Sequence, residues 1–472
     1  MRQSTHSKGT DASHQTEITL ALIAKMSAAD LSLQSFEKKT ALHLAVTDGH
    51  TEVVKTLIEK MRAKDLLLTD QNDNTALHHA AFNGHTEIAK ALIEQMRAED
   101  LRLSNEKNCT ALHYAAFNGH TEIAKALIEK MRAGDLLLKD TDSKTALHVA
   151  AMRGHTEIAK ALIEEMRAED LLLTDQHSNT VLHYYAAFKG QTDIVKALVA
   201  KMSKKDLSLT NMNGSTALHV AIRNNHTDIA KALVAEMSKE DLSLANKYGE
   251  TALHHAVFSG HTEITKALIA KMSAEALLLQ GGRNNTALHV AAFNGHTEIT
   301  KALIAKMSAE ALLLQGERNN TALHYAAFNG HTEIAKALIE KMRAEDLLLT
   351  DQHSNTALHL VADNGHTEIA TALIEKMRTE DLLLTDQHGC TALHHAAFNG
   401  HTEIAKALIV KMRAEDLLLT AEKGSTALHL AAGYGHTNTA KALIEKMRTE
   451  DLLLTDQHGC TALHHAVFSG YT

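Results

Sequence analysis

Residues 75–109 read TALHHAAFNGHTEIAKALIEQMRAEDLRLSNEKNC, and this stretch recurs with small changes along nearly the whole chain. The opening T-A-L-H returns every 35 residues, except for one step of 36 residues between Thr180 and Thr216. A fixed period of this length, sustained thirteen times, predicts a stack of like units rather than separate globular domains. The motif begins at Thr40, Thr75, Thr110, Thr145, Thr216, Thr251, Thr286, Thr321, Thr356, Thr391, Thr426, Thr461 and, as T-V-L-H, at Thr180.

Each unit is predicted to contain two helices and a hairpin. Thr75 is a suitable N-cap for a short first helix, and Asn83-Gly84 ends that helix because glycine tolerates the left-handed turn. Thr86 caps a second helix, in which apolar residues recur at helical spacing as far as Met96. A short extended segment and a turn then return the chain to the next T-A-L-H.

These units, of the form T-A-L-H-x-A-A-x-x-G-H, resemble the ankyrin repeat from about Thr16 to the C-terminus. The resemblance implies an all-α solenoid in which each unit adds a helix–turn–helix and a β-hairpin loop. We expect residues 1–15 to be a polar, disordered leader and residues 16–472 to be a single array. About twelve full units would run from Thr40 to Cys460, with half-units at both ends. Because the array stops where a second helix would begin, we expect a fragment of a longer reading frame.

The units depart from the ankyrin pattern in two places. Alanine, or valine once, replaces the usual proline after the motif threonine, which removes some rigidity from the helix start. Two extra residues, in the R-A-E-D stretch, lie between the second helix and the hairpin, and we expect them to lengthen that helix by half a turn. The recurrent Glu-Asp pairs, such as Glu99-Asp100, would then lie at its solvated end.

Composition excludes several classes of protein. The chain has no proline or tryptophan, 3% aromatic residues and 34 histidines. No apolar run is long enough for a membrane span, and the N-terminus lacks a secretory h-region. The net charge of −9 gives no basic surface for nucleic acid or an anionic membrane. Three cysteines are too few for a disulfide framework, so we expect a cytoplasmic protein, with delivery into a host cell left open.

Histidine is a candidate metal ligand or catalyst, but its positions favour a structural role. Thirteen histidines belong to the T-A-L-H or T-V-L-H motif and eleven to the G-H turn. The motif histidine lies three residues after the capping threonine, so its ring can return a hydrogen bond to the cap. The histidines at hairpin tips, His177, His353, His388 and His458, are freer, but we predict no metal site.

Other features that could carry chemistry have structural explanations. No phosphate-binding loop, His-Glu-x-x-His or Cys-x-x-Cys motif occurs. Cys109, Cys390 and Cys460 all precede a motif threonine at a hairpin base, too far apart for a disulfide. We therefore predict no enzyme activity, no cofactor and no small-molecule substrate.

A protein partner is the remaining expectation. The resemblance implies partner contacts at hairpin tips and on the exposed side of the first helix, where the middle units vary most. The predicted partner-binding residues are Tyr185, Met212, Arg223, Lys247, Tyr248, Arg283, Arg318 and Tyr325. A row of phenylalanines ends most first helices, and it either wedges adjacent units together or offers an aromatic stripe to a partner: Phe82, Phe117, Phe188, Phe258, Phe293, Phe328, Phe398 and Phe468.

The 36-residue unit contains one extra tyrosine, in T-V-L-H-Y-Y-A-A-F. One added residue rotates a helix by about 100°, so Leu182 and Ala186 could not both face the stack in a regular helix. Either a π-bulge forms at Tyr184 and Tyr185, or the helix start unwinds and Thr180 loses its cap. We expect the bulge, which would push one tyrosine outward beside Met212.

Three functions are compatible with these features. The leading hypothesis is a non-catalytic, monomeric scaffold that binds an unidentified protein along the concave ankyrin groove, without nucleic acid or membrane. The alternative is a targeting region of a larger enzyme or secreted effector whose catalytic part is missing. A repeat gene still expanding, with no selected partner, would explain the near-identical units: residues 375–396 and 445–466 are the same.

Overall fold

A computed structural model describes residues 6–187 and 191–470, with side chains from residue 14 onward. The chain divides into two compact units, Met1–Ser238 and Lys239–Thr472. The described residues contain α-helices, 3₁₀ helices and isolated β-bridges but no strand, which confirms the all-α prediction.

The described residues of the first unit form fourteen α-helices, mostly in pairs of a shorter and a longer helix. They are α1 His6–Lys25, α2 Ala28–Leu31, α3 Ala41–Thr47, α4 Thr51–Lys60, α5 Ala76–Asn83, α6 Thr86–Gln95, α7 Ala111–Asn118, α8 Thr121–Lys130, α9 Ala146–Arg153, α10 Thr156–Glu165, α11 Val181–Ala186, α12 Thr192–Lys201, α13 Ala217–Arg223 and α14 Thr227–Glu236. Its 3₁₀ helices are Ala63–Leu67, Ala98–Asp100, Ala133–Leu137, Ala168–Leu172 and Lys204–Ser208.

The second unit repeats the same pairs. Its α-helices are α15 Ala252–Phe258, α16 Thr262–Lys271, α17 Ala287–Asn294, α18 Thr297–Lys306, α19 Ala322–Asn329, α20 Thr332–Lys341, α21 Ala357–Asn364, α22 Thr367–Lys376, α23 Ala392–Asn399, α24 Thr402–Lys411, α25 Ala427–Gly433, α26 Thr437–Lys446 and α27 Ala462–Phe468. Its 3₁₀ helices are Asp241–Ser243, Glu275–Leu278, Gly282–Asn284, Glu310–Leu313, Glu317–Asn319, Glu345–Leu348, Thr379–Leu383, Ala414–Leu418, Glu422–Gly424 and Thr449–Leu453.

Small and branched apolar side chains build the core of both units. In the pair α5 and α6, Ala80, Ala81, Ile88 and Leu92 are almost completely buried. The alanines let first helices approach one another closely, and α5 packs against α7 as well as against its own partner α6. Small and branched side chains therefore form most of the core, and Tyr185 is the large aromatic exception among the fully buried side chains of the described residues.

The motif histidine joins neighbouring repeats. The Thr75 backbone N–H lies 3.1 Å from His78 Nδ1, and the Thr75 hydroxyl lies 2.8 Å from the same atom. The other ring nitrogen, Nε2, donates to the Cys109 carbonyl 3.0 Å away in the next hairpin. The predicted hydrogen bond to the cap is confirmed, and the ring also holds the following repeat.

The histidine of the G-H turn forms a second link between repeats. His120 Nε2 donates to the Phe82 carbonyl at 3.2 Å, and its ring lies directly over Gly84 of the preceding repeat. Gly84 has a φ of 78°. The glycine is therefore required both for its left-handed backbone and for the space that His120 occupies.

The R-A-E-D stretch does not lengthen the second helix, so that prediction is wrong. Helix α10 ends at Glu165, Met166 is extended with a ψ of 146°, and a separate 3₁₀ helix follows. Arg167 Nε donates to Asp170 Oδ2 at 3.1 Å, which leaves Asp170 buried and Glu169 exposed. Only the glutamate of the Glu-Asp pair lies in solvent, because the arginine covers the aspartate.

The extra tyrosine does not form a π-bulge. Helix α11 is a regular α-helix in which Leu182 and Ala186 are both buried, and Tyr185 is buried where other units have alanine. His226 Nε2 donates to the Ala187 carbonyl at 2.9 Å, so Ala187 takes the place that phenylalanine occupies elsewhere. The extra residue therefore leaves helix α11 in the same register as the other first helices. The predicted outward tyrosine is wrong for Tyr185, and Phe188 lies outside the described residues.

Candidate partner-binding groove

Most hairpins are shaped by one acidic or amide residue five positions before the motif threonine. Asp351 Oδ1 accepts hydrogen bonds from the backbone N–H groups of His353 and Asn355, both at 2.8 Å. Ser354 then adopts a φ of 62° to complete the turn. This residue is not among the predicted site residues, although Asp or Asn recurs at the position and such side chains commonly organise turns.

Three hairpins of the second unit lack that side chain and turn differently, and in one of them Ala421 stands at the position and Lys423 and Gly424 are left-handed. In the other two, Gly281 and Gly316 stand at the position, and each turn then uses two successive left-handed residues.

Arg283 has a φ of 61° and Arg318 a φ of 60°. A left-handed conformation costs a residue other than glycine roughly 1–2 kcal/mol. Both predicted partner-binding arginines therefore stand at strained turns.

The arginine side chains project from these turns into solvent. The Arg283 side chain is 77% exposed, and its Nη1 lies 3.5 Å from Glu317 Oε2, a distance and exposure that give a weak ion pair. Arg318 is also exposed, and its backbone carbonyl accepts from the Gln352 N–H at 2.9 Å. Adjacent hairpin tips are therefore tied together while the guanidinium groups stay accessible.

Aromatic side chains form the floor beside these arginines. The rings of Phe293 and Tyr325 meet edge to face with centroids 5.5 Å apart. Tyr325 is half-buried, its hydroxyl lies 3.4 Å from Asn285 Oδ1, and burial raises the pKa of its phenol. Phe293 and Phe328 remain about half exposed.

These residues line a groove between successive hairpins. Two adjoining cavities of about 450 and 400 Å³ share Arg283, Phe293, Glu317 and Tyr325. We define the hairpin groove by Arg283, Phe293, Arg318, Tyr325 and Phe328. The fold thus brings three of the predicted partner-binding residues together with two phenylalanines.

The other predicted partner-binding residues lie elsewhere. Lys247 and Tyr248 are exposed on the preceding hairpin of the same unit. Met212 and Arg223 are exposed in the first unit. Tyr185 is buried there, which removes it from any surface that a partner could reach in this conformation.

The phenylalanine row fits parts of both open interpretations. Phe82 packs edge to face on Tyr114 with centroids 5.4 Å apart, and Phe398 packs on Tyr434 at 4.4 Å. Each of these phenylalanines nevertheless remains 42–50% exposed. One side of the ring joins adjacent repeats, and the other side faces solvent.

Comparison with known proteins identifies the repeat. A family model described as ankyrin repeats (3 copies) matches residues 11–101, 63–136, 132–208, 182–278, 272–351, 344–420 and 410–472. No curated protein sequence matches the chain. Among solved structures, the crystal structure of EF0377, an ankyrin repeat protein, is 28% identical, covers 42% of this chain and 98% of its own, and has a TM-score of 0.37. No helix among the described residues is long and apolar enough to cross a membrane.

Proposed function

Because the chain belongs to the ankyrin repeat family, we propose that it is a non-catalytic scaffold that binds a partner protein through the hairpin groove. Ankyrin repeats are generally protein-interaction modules, and this chain consists of them almost from end to end. We further propose that the chain acts as a monomer in a reducing, cytoplasmic environment, which its three free cysteines support.

One observation carries the proposal: the exposed arginines Arg283 and Arg318 stand beside half-exposed aromatic rings. Arginine and tyrosine are enriched at the centres of protein interfaces, where a few residues supply most of the binding energy. Glu250, Glu317 and Asp351 also line the two cavities, but these three residues are only partly exposed, whereas Arg283 and Arg318 are exposed. The groove is therefore suited to a protein segment that carries carboxylates beside an apolar side chain.

The histidines support a non-catalytic reading. His324 accepts from the Thr321 backbone N–H through Nδ1 at 3.2 Å and donates to the Asn355 carbonyl through Nε2 at 3.1 Å. Burial lowers the pKa of its ring despite the opposing effect of the Asn355 carbonyl. Both ring nitrogens are thus engaged, and the same bonds recur at many of the motif histidines.

The test compares two double variants that remove the same charge. Arg283→Gln with Arg318→Gln changes the hairpin groove, whereas Lys301→Gln with Lys336→Gln changes exposed positions on helices α18 and α20. Each immobilised full chain would capture proteins from its native cell, with quantification by mass spectrometry. We expect the groove variant to lose a partner roughly tenfold or more, about 1.4 kcal/mol, while the control retains it.

Equal retention by both variants would contradict the groove assignment. Far-UV circular dichroism and melting temperature would verify that both variants fold like the unmodified chain. Loss of the same protein from both variants alike would indicate non-specific charge attraction rather than a defined interface.

A further inference from the structure

Three side chains with different metal-binding atoms meet at the base of one hairpin in the second unit. A carboxylate oxygen of Asp386, the Sγ of Cys390 and a ring nitrogen of His395 all lie within 4.8 Å of one another. Asp386 Oδ2 is 3.0 Å from His395 Nε2. Asp386 is buried, whereas Cys390 and His395 are half-buried, so an ion has a route from solvent.

We propose that Asp386, Cys390 and His395 bind a divalent transition metal, with Zn²⁺ the best match. Carboxylate, thiolate and imidazole are the three side-chain ligands that zinc takes in proteins, and the mixture of hard and soft atoms disfavours Mg²⁺ and Ca²⁺. Three protein ligands leave a fourth tetrahedral position for water. On binding, the thiol and the nitrogen facing Asp386 would release their protons to solvent.

A second carboxylate orients the histidine in the way that metal sites require. Asp363 Oδ1 lies 3.2 Å from His395 Nδ1 and accepts a hydrogen bond from Asn399 Nδ2 at 2.8 Å. With its Nδ1 proton donated to Asp363, the ring directs Nε2 toward Asp386 and Cys390. Metal-bound histidines commonly donate their other N–H to a carboxylate, which fixes the ring and strengthens the ligand.

The Asp–His contact alone does not make this site. Asp70 and His79 form the same pair at 2.9 Å, but Asn74 stands where Cys390 stands in the later repeat. The thiol therefore distinguishes a possible metal site from a repeated hydrogen bond.

The chain also contains a near-copy of the cluster. Asp456, Cys460 and His465 belong to the second of the two identical segments, and His465 Nε2 lies 2.9 Å from Asp456 Oδ2. Gly433 replaces Asp363 in the neighbouring repeat. A Cβ added to Gly433 would lie 3.6 Å from His465 Nδ1, an ordinary contact distance. The copy has the same candidate ligands without the orienting carboxylate, so we expect it to bind the metal more weakly.

The experiment uses Co²⁺ as a spectroscopic substitute for Zn²⁺ in titrations of the full chain under thiol-reducing conditions. A thiolate–cobalt charge-transfer band in the near ultraviolet reports bonding to cysteine. We expect Cys390→Ser to remove the tighter phase, Cys460→Ser to remove the weaker phase, and Cys109→Ser to change neither. Added Zn²⁺ should abolish the band.

Substitutions at Asp363 and at its counterpart Gly433 test whether the carboxylate that orients the histidine strengthens metal binding. Asp363→Gly should weaken the tighter phase by about 10–100-fold, the usual effect of losing an outer carboxylate. Gly433→Asp should strengthen metal binding in the weaker phase, because it supplies the carboxylate that the copy lacks. Melting temperatures of the metal-free variants would separate a lost ligand from a lost fold.

Two outcomes would overturn the proposal. The first is the absence of a thiolate–cobalt band with equimolar metal in the folded chain. The second is a band that persists in the Cys390→Ser, Cys460→Ser double variant, which would identify an adventitious ion only. Neither outcome involves the hairpin groove, so failure here leaves the proposed partner binding to its own test.

Discussion

The first-helix starts and the hairpin tips of the same repeats differ in how strictly they are repeated. At the helix starts, His289 and most of its equivalents are buried and hydrogen-bonded at both ring nitrogens, although His148 Nε2 has no partner among the described residues and His464 is exposed. At the tips, the turn geometry changes with the residue at its start, and the position of Arg283 holds glutamate, asparagine, lysine, aspartate, histidine, tyrosine or arginine in the other repeats. Similar histidine hydrogen bonds therefore hold adjacent repeats together, whereas the residues that differ between repeats are concentrated on accessible surface.

The largest expected effect is loss of stability in acid through the buried histidines. Burial lowers the pKa of His78, His148, His289, His359 and His394 to about 4 each. The unfolded chain binds their protons near pH 6.5, so the stabilisation is complete above that pH and is lost as the pH falls toward 4. Each group contributes about 1.4 kcal/mol per pH unit in this window.

His395 opposes the trend. Burial lowers the pKa of its ring, but hydrogen bonds to Asp363 and Asp386 outweigh that effect and raise it. One such group is outnumbered by the histidines with lowered pKa values. Urea unfolding at pH steps from 7.5 to 4 would measure the sum, and a flat free energy of unfolding between pH 7.5 and 5 would contradict a buried neutral layer.

Two glycines test whether stability depends on the space between the G-H turn of one repeat and the histidine ring of the next. Gly119 has a φ of 77°, and an added Cβ would lie 2.5 Å from His155 Cε1. Gly119→Ala should lower the free energy of unfolding by about 2 kcal/mol, from backbone strain and from displacement of the ring. Gly134 has no atom within 4 Å of an added Cβ.

Gly134→Ala is therefore the matched control, and it should change stability by no more than about 0.5 kcal/mol. Chemical denaturation of both variants gives the comparison. Equal losses of stability in the two variants would mean that the His155 ring moves aside at little cost and that the contact between the two repeats is less tightly packed than its geometry implies.

The two adjacent tyrosines should respond with opposite signs. The buried Tyr185 hydroxyl has no hydrogen-bond partner among the described residues, whereas the Tyr184 hydroxyl donates to Asp175 Oδ2 at 2.6 Å. Tyr185→Phe should raise the free energy of unfolding by about 1 kcal/mol, since it removes an unsatisfied polar group. Tyr184→Phe should lower it by about 1–2 kcal/mol.

Urea denaturation would compare the two variants directly. A loss of stability in Tyr185→Phe would show that the hydroxyl is bonded in solution and that the extra residue is integrated more fully than the described contacts indicate.

The smallest expected effect concerns strain at the groove tip. Arg318→Gly should raise stability by about 0.5 kcal/mol, because glycine adopts the left-handed turn without penalty, although it loses more chain entropy on folding. Arg223→Gly, at the end of helix α13, should lower stability by about 0.5–1 kcal/mol. Differential scanning calorimetry can resolve these opposite changes in stability. A decrease in stability for both variants would show that the Arg318 turn is not strained.

Local relations explain which predictions succeed. A threonine and a histidine three residues apart meet on the first turn of any helix, so the Thr75–His78 bond follows from spacing alone. The placement of the extra tyrosine depends on which neighbouring side chains can move apart. Tyr185 is buried where alanine packs in other repeats, and not turned outward as spacing alone predicts.

The sequence by itself determined the ankyrin fold, the helix caps and the bonded role of the motif histidines, because periodicity and short-range spacing specify them. Only the tertiary structure decided that Arg283, Arg318 and Tyr325 share one groove, that Tyr185 is buried and that Asp363 faces His395. Asp363 and His395 are 32 residues apart, and they meet because adjacent repeats stack almost in register. Contacts between repeats depend on packing and turn geometry, which the spacing of residues within one repeat does not define.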